Sequence, residues 1–175
     1  MKRLLALFIC LLITGVVGCE QEATVEQAKP DLEKIKQQLL EEQYAYANAW
    51  SNKDMNHMIN NVWAHDDDIT IWGPAERDRV QGWEGPNGVK AWYQNSMDSM
   101  AEIDFKIHDV LIKVSQNGTA AVVTYYVEND FVDNDGNKGK LTPRVTVVKE
   151  LRDDGTWKCI HGDASFSIAE VKAME

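Results

Sequence analysis

The chain has 175 residues, in which 18 Lys and Arg side chains stand against 28 Asp and Glu side chains, and its formal net charge is −10 at pH 7. A surface this acidic repels phosphate backbones and anionic headgroups, so the composition argues against a nucleic-acid partner. The length fits a single domain of ordinary size.

The N-terminus carries a short positive segment followed by an apolar one. Lys2 and Arg3 precede an apolar run at 4–17, and Gly18 then stands directly before Cys19. The run is shorter than the roughly 20 apolar residues that cross a bilayer comfortably. The pattern resembles a bacterial lipoprotein signal peptide with its lipobox, which implies cleavage before Cys19, acylation of Cys19 and export. An uncleaved N-terminal anchor helix is the alternative.

Removal of this signal changes the remaining chemistry. Without its two basic residues, 16 basic side chains oppose 28 acidic ones, a net charge of −12. Cys10 leaves with the signal and Cys19 carries lipid, so Cys159 has no partner for an intramolecular disulfide. The lipid then holds the protein at the membrane. An aspartate directly after the acylated cysteine typically retains such proteins at the inner membrane. This chain has Glu20 at that position, which favours anchoring in the outer membrane of the cell envelope, facing the periplasm.

Helical signals fill the first half of the predicted domain. Pro30-Asp31 is a usual helix start, and the break at 51–54 starts a second, short helix to about Asn61. The first helix has an apolar stripe at helical spacing. Its members are Leu32, Ile35, Leu39, Tyr46 and Trp50. The remaining predicted elements of this half are a strand at 68–72, an irregular charged loop at 75–84 and a third helix at 86–100.

The second half alternates with a period of two, which is typical of strands. Four strands are predicted, and Asn-Gly or Asp-Gly turn signals join them. They span 105–114, 119–132, 141–151 and 156–167. The fold class is therefore α+β, with three N-terminal helices covering one face of a curved antiparallel sheet. The chain divides into a signal (1–18), a lipidated cysteine with a polar tether (19–30), one domain (31–168) and a tail (169–175).

The last two strands carry a recognisable motif. An Arg-x-Thr strand at 144–148 leads through Asp154-Gly155 to a strand that ends His161-Gly162-Asp163-Ala164-Ser165, and Gly82-Trp83 precedes the third helix. These features resemble the nuclear transport factor 2-like superfamily, particularly its SnoaL-like members, over 31–168. The resemblance implies a conical cavity between helices and sheet, but the superfamily includes isomerases, cyclases, dehydratases, binding modules and oligomerising domains. The sequence departs from the pattern at Asp163, where a second histidine is usual.

Strand alternation predicts a polar cluster near the end of the chain. It places Trp157, Cys159, His161, Asp163 and Ser165 on one face. A two-residue turn at Asp154-Gly155 sets Arg144 opposite Ser165, a four-residue loop sets it opposite Asp163, and a three-residue loop turns it to the other face. The resemblance favours a common face that points into the cavity.

Three roles for this cluster remain open at the level of sequence. His161 or Asp163 could act as a general base with Arg144 as oxyanion partner, as in an isomerase, dehydratase or cyclase. The same groups could contact a ligand, or Arg144 and Asp163 could pair only to close the cavity. No metal site or cofactor is predicted, since there is no zinc-spaced Cys/His set and His65-Asp66-Asp67-Asp68 cannot converge on one ion.

Aromatic residues from several elements are expected around the cavity, where rings with a few polar groups form small-molecule pockets. The predicted ligand-binding residues are Tyr46, Trp50, Trp72, Trp92, Tyr125 and Ser165. The favoured function is a lipid-anchored module that binds a small, partly apolar molecule. The alternatives are an enzyme on the same scaffold and a structural homodimer, for which an exposed apolar sheet face is expected.

Overall fold

The computed structural model describes residues 29–73 and 79–166. The predicted signal, Cys19 with its predicted acylation, and the tail lie outside these residues. Within them, no helix has both the length and the apolar character needed to cross a membrane. The elements are α1 (Leu32–Ser51), α2 (Met55–His57) continued by a π-helical turn (Met58–Val62), β1 (Thr70–Trp72), β2 (Arg79–Gln81), α3 (Val89–Asp98), β3 (Met100–Val114), β4 (Ala120–Asp133), β5 (Lys138–Leu141), β6 (Arg144–Leu151) and β7 (Trp157–Ser165).

The first two helices begin at the predicted capping residues. The Asp31 carboxylate accepts a hydrogen bond from the Lys34 N–H at 3.1 Å and so caps α1. The Asp54 carboxylate accepts one from the His57 N–H at 3.0 Å and caps α2. Each cap satisfies a backbone donor that the first helical turn leaves free.

The strands form one strongly curled sheet in the order β2-β1-β7-β6-β4-β3, and β5 pairs with β4 beyond the end of β6. All pairs are antiparallel except β1 with β7, which are parallel. The α+β fold is therefore confirmed, but the sheet is mixed rather than purely antiparallel. The parallel pair arises because β1, from the helical half of the chain, lies along the last strand.

Two of the predicted elements differ from the structure. The expected loop at 75–84 contains β2, whose three residues are too few to show a period of two. The single strand expected at 141–151 is split into β5 and β6 at Thr142-Pro143, because proline has no N–H to donate to a ladder.

The core lies between the helices and the inner, concave face of the sheet. A large cluster of buried side chains includes Trp50, Met58 and Val123. A smaller cluster of Leu39, Ala121 and Trp157 closes the end of the sheet near the N-terminus of α1. The opposite, outer face of the sheet carries no helix among the described residues. The large core is not filled throughout, and the space that remains is the candidate site.

Candidate functional site

A β-bulge in β7 decides which side chains can reach the interior. Lys149 lies opposite Cys159, but Val148 lies opposite His161, so Ile160 is an extra residue in β7. Because side chains alternate between faces, one extra residue turns everything after it to the other side. Trp157 and Cys159 are buried on the inner face, and His161 lies on the outer face.

The prediction that five residues of β7 share one face is therefore wrong. The hairpin has the three-residue loop that was expected to turn Arg144 away, since the Arg152 N–H donates to the Thr156 carbonyl at 2.8 Å. The bulge then compensates for this loop and returns Arg144 to a position opposite Ser165. Arg144, His161, Asp163 and Ser165 do share a face, but it is the outer face.

The candidate catalytic groups are accordingly engaged outside the cavity. His161 Nδ1 and Thr70 Oγ1 form a hydrogen bond of 2.7 Å, and Arg144 donates to the Ser165 hydroxyl at 3.4 Å. Asp163 lies opposite Thr146 and beside Trp72. Asp163 borders the cavity between Gly162 and Ala164, which we ascribe to its backbone because strand pairing places its side chain outside. The prediction that the side chains of this cluster point into the cavity is therefore wrong.

A cavity of about 280 Å³ lies between α1, α3 and the inner face of the sheet. Its wall is mostly aromatic. The rings that line it belong to Tyr46, Trp50, Trp63, Trp92, Tyr93, Phe105, Tyr125 and Phe166. Four of the predicted pocket residues are among them, namely Tyr46, Trp50, Trp92 and Tyr125. The pocket prediction is wrong in orientation for Trp72 and Ser165, which lie on the outer face, and the Trp72 side chain is 44% exposed.

The aromatic wall is held together by ring-on-ring packing. Trp50 stacks on Phe105 with ring centroids 5.5 Å apart and planes 11° from parallel, and it contacts Tyr93 at 5.3 Å. Trp63 packs on the other side of Tyr93 at 5.9 Å. Trp63 also lies over Gly162, where a Cβ would come within 3.2 Å of its ring. Gly162 therefore makes room for the indole, a reason for glycine that the sequence pattern did not show.

Three tyrosines, Tyr46, Tyr93 and Tyr125, line the cavity and also border a second, smaller one. The hydroxyls of Tyr46 and Tyr93 are 3.2 Å apart. Burial raises the pKa of Tyr46, and it raises the pKa of Tyr93 and Tyr125 well above 10, with the neighbouring Tyr46 adding to both shifts. All three are therefore protonated at neutral pH and can donate hydrogen bonds.

Three residues that line the cavity each have a fully buried side-chain atom with no hydrogen-bond partner among the described residues: Trp50 Nε1, Trp63 Nε1 and Asn129 Oδ1. Buried polar groups in folded proteins are nearly always paired with protein, water or ligand. Sequence reasoning missed Trp63 and Asn129, since neither lies in a stripe or motif.

A second, smaller cavity of about 60 Å³ lies directly beneath the first and shares Tyr46, Trp63, Tyr93 and Tyr125 with it. Lys149 and Glu42 border it and form an ion pair of 3.0 Å. This space holds little more than one or two water molecules. Of these two cavities, the larger is the candidate ligand site because the smaller has no room for an organic molecule.

Two nearby groups prove to be structural. Burial raises the pKa of the Cys159 thiol, so it remains protonated and packs as a small apolar side chain. His65 stacks on Trp83 with centroids 4.4 Å apart, and its Nε2 lies 2.8 Å from the Ile59 carbonyl. Across residues 29–73 and 79–166, no cluster of three or more His, Cys, Asp or Glu side chains could hold a metal ion.

The helices, the curled sheet and the enclosed cavity are those of the nuclear transport factor 2-like superfamily. The chain belongs to the SnoaL-like domain family, whose model matches residues 41–169. A nuclear transport factor 2-like superfamily protein from Salmonella enterica serovar Typhimurium is similar in fold, with a TM-score of 0.67 and 20% identity over 77% of this chain and 92% of that one.

Other similar structures differ in what they are. An uncharacterized protein with a cystatin-like fold from Caulobacter vibrioides has a TM-score of 0.62 and 14% identity over 81% of this chain and 96% of that one. The association domain of C. elegans CaMKII has a TM-score of 0.59 and 18% identity over 77% of this chain and 97% of that one. No functionally curated protein matches the chain in sequence. These likenesses show the fold and leave the function to the site.

Proposed function

We propose that this protein is a lipid-anchored binding module of the cell envelope that holds a small, partly apolar molecule in its aromatic cavity. The observation that carries the proposal is the cavity of about 280 Å³, walled by eight aromatic side chains and crossed by few polar groups. Such a lining binds apolar rings by removing their surface from water, while isolated polar atoms fix orientation.

Binding is favoured over catalysis because of what faces the cavity. The candidate bases His161 and Asp163 lie on the outer face, as does Arg144. The titratable groups that turn inward are tyrosines whose pKa values burial raises. A group that keeps its proton throughout the neutral range is a poor general base.

The start of the described chain lies far from the part of the cavity that Asn129 borders, which is compatible with an anchor at the N-terminus. Pro30 lies against Gly118 in the β3–β4 turn, where a Cβ on that glycine would come within 2.8 Å of it. Asn129, which borders the cavity, lies nine residues beyond Ala120, the first residue of β4, about 30 Å away for an extended strand. Pro30 therefore lies near the end of β4 that is away from Asn129.

The test is to purify the full chain from its native envelope, denature it and identify released small molecules by mass spectrometry. Two variants reduce the cavity from different walls, Ala164→Phe and Ser96→Phe, and Thr146→Phe adds the same ring to the outer face. We expect the cavity variants to lose the released molecule while Thr146→Phe keeps it. If folded native protein and all three variants release the same compounds in the same amounts, the proposal is wrong.

A second candidate function, self-association, is favoured by the outer face. Four of the large apolar side chains that are more than a third exposed lie there; three are grouped on β3 and β4, and the fourth, Trp72, lies three strands from β4, on β1. They are Trp72, Leu111, Val122 and Tyr126. An association domain is among the structures of similar fold. In light scattering, Val122→Glu should halve the mass of a homodimer held by this face, whereas Tyr44→Glu on the exposed side of α1 should not.

A further inference from the structure

We infer that Asn129 determines which ligand the aromatic cavity binds, by donating a hydrogen bond from its amide nitrogen to an uncharged acceptor such as a ketone carbonyl. This inference rests on the proposed binding function and specifies its ligand class. It follows from the strand position of Asn129, from the burial of its amide and from the charge of the groups that share the wall.

Asn129 occupies a position on the inner face of β4 where the strand pattern favours an apolar residue. Tyr125 and Val127 precede it on the same face, and all three are buried and line the cavity. Tyr126, which lies between the first two, is exposed on the outer face. Asparagine is depleted in strands, and its amide is costly to bury without a hydrogen-bond partner. A partner for this amide is therefore expected, and the side that can receive one is the cavity.

The two ends of the Asn129 amide differ in accessibility. Oδ1 is fully buried and has no hydrogen-bond partner among the described residues, which leaves Nδ2 as the accessible end. Since the residue as a whole is 6% exposed and borders the cavity, the accessible nitrogen opens onto that space. This orientation agrees with the general pattern that buried carbonyl oxygens go unpaired more often than buried N–H groups. An amide nitrogen only donates, so the ligand must present an acceptor to it.

The groups that share the wall favour an uncharged acceptor over a carboxylate. Asp163 is the single acidic or basic residue that borders the cavity in the described parts of the chain, and strand pairing turns its side chain to the outer face. Burial raises the pKa of Tyr93 and Tyr125, so both hydroxyls stay neutral. An anion held by Asn129 would therefore be buried without a cation beside it, which is far more costly than burying a neutral carbonyl.

The remainder of the ligand contacts an apolar surface. Leu141 lies opposite Asn129 in the β4–β5 ladder, and Leu141, Pro143 and Val145 line the same cavity. An engineered protein cavity of roughly 150 Å³ accommodates benzene, whereas the cavity here measures about 280 Å³. A bicyclic ketone is therefore a suitable probe of this space.

The test combines a change in the ligand with a change in the protein. The probes are 1-tetralone, which carries a carbonyl; tetralin, which has the same two rings without oxygen; indole, whose N–H only donates; and 2-naphthoate, which is an anion at neutral pH. Asn129→Leu removes the amide, and Thr146→Leu introduces the same side chain on the outer face as the control. Equilibrium dialysis against the full chain in lipid nanodiscs, with empty nanodiscs as reference, gives each dissociation constant.

The readout is the affinity for 1-tetralone relative to that for tetralin, compared between proteins. In Asn129→Leu this ratio should fall about tenfold, as the loss of one hydrogen bond at a buried donor would give. Thr146→Leu should keep the native ratio. The affinity for indole relative to tetralin should be the same in all three proteins, and 2-naphthoate should bind the native protein more weakly than 1-tetralone does.

Ratios between probes are insensitive to a general loss of folded protein, so a destabilised variant still reports on selectivity. The inference is overturned, with the binding function left in place, if Asn129→Leu keeps the native 1-tetralone ratio or if the anion binds more tightly than the ketone. A selective loss of indole binding in Asn129→Leu overturns it as well, since Oδ1 would then face the cavity.

The proposed function is tested separately by the release of a bound molecule on denaturation. If no probe binds but the native protein releases a small molecule, the inference fails alone. If no probe binds and nothing is released, the proposed function fails with it.

Discussion

Arg144 lies directly opposite Ser165 in the β6–β7 ladder, and its Nη2 atom donates a hydrogen bond to the Ser165 hydroxyl across 3.4 Å. Asp163 lies two pairs further along, opposite Thr146. Arg144 is exposed to solvent, so removing either charged side chain leaves no ion stranded in a low-dielectric interior. The two residues should therefore contribute to stability independently.

The corresponding prediction is a near-zero coupling energy. Arg144→Met and Asp163→Leu should each change the free energy of unfolding by less than about 1 kcal/mol. The double variant should equal the sum within about 0.5 kcal/mol in urea melts, with ligand retention unchanged. A coupling of several kcal/mol would mean that the side chains meet in the interior, and the outer-face assignment would have to be withdrawn.

The Lys149–Glu42 pair should behave differently, because its two members are unequally buried. The Lys149 side chain is 4% exposed and that of Glu42 is 31% exposed. Glu42→Gln strands a buried cation, which should cost about 3–5 kcal/mol. Lys149→Met leaves a carboxylate that water can reach, so it should cost less. Urea melts measure both, and equal costs would contradict this reasoning. Glu33→Gln, in the exposed pair with Lys36, is the control and should cost under about 0.5 kcal/mol.

Trp157 is predicted to be a major contributor to stability at the closed end of the sheet. It is 3% exposed and packs in one cluster with Leu39 and Ala121. Trp157→Ala should lower the free energy of unfolding by about 3–5 kcal/mol. Trp72→Ala, which removes an indole from the outer face, should cost under about 1 kcal/mol. Similar losses for the two variants in thermal melts would count against the assigned burial.

Much of the fold could be predicted because local chemistry decides it. Asp31 and Asp54 each precede a segment with helical apolar periodicity, and in the structure each caps the helix that follows it. The turn glycines Gly118, Gly136 and Gly155 all have positive φ, as their Asn-Gly and Asp-Gly contexts indicated. The parallel contact of β1 with β7 could not be predicted, since three residues carry no register signal.

The candidate site was harder to predict because one extra residue in β7, Ile160, changes which of the following side chains face the cavity. Nothing in Cys159-Ile160-His161 marks Ile160 as the extra residue of a bulge, since each of the three side chains is compatible with either face. The inner aromatic wall, by contrast, follows from α1 periodicity for Tyr46 and Trp50. Asn129 could not be identified from a strand pattern, because its significance lies in an unpaired buried oxygen that only the three-dimensional structure reveals.

Cys19, which lies outside the described residues, should be the residue whose removal releases the protein from membranes. Cys19→Ser removes the proposed acylation site, while the domain that starts at Asp31 should keep its contacts. We expect this variant in the soluble fraction after lysis, with a native thermal melt. Cys159→Ser, which alters a buried thiol, should remain in the membrane fraction. If the Cys19→Ser protein is still acylated and still needs detergent for extraction, the lipoprotein assignment is wrong.

Alkaline pH should unfold the protein through its buried tyrosines. Tyrosines of the unfolded chain ionise near pH 10, whereas burial holds the pKa of Tyr93 and Tyr125 well above that value in the folded state. The folded state therefore binds these protons more tightly. Their contribution to stability is fully present below about pH 10 and is lost as pH rises toward the folded-state pKa, by up to about 1.4 kcal/mol per pH unit and group.

Urea melts between about pH 9 and 11 should show a shallower fall in the free energy of unfolding for Tyr125→Phe than for the native protein. Tyr44→Phe, on the exposed side of α1, should keep the native fall, and an identical fall in all three proteins would show that Tyr125 ionises as freely when folded as when unfolded.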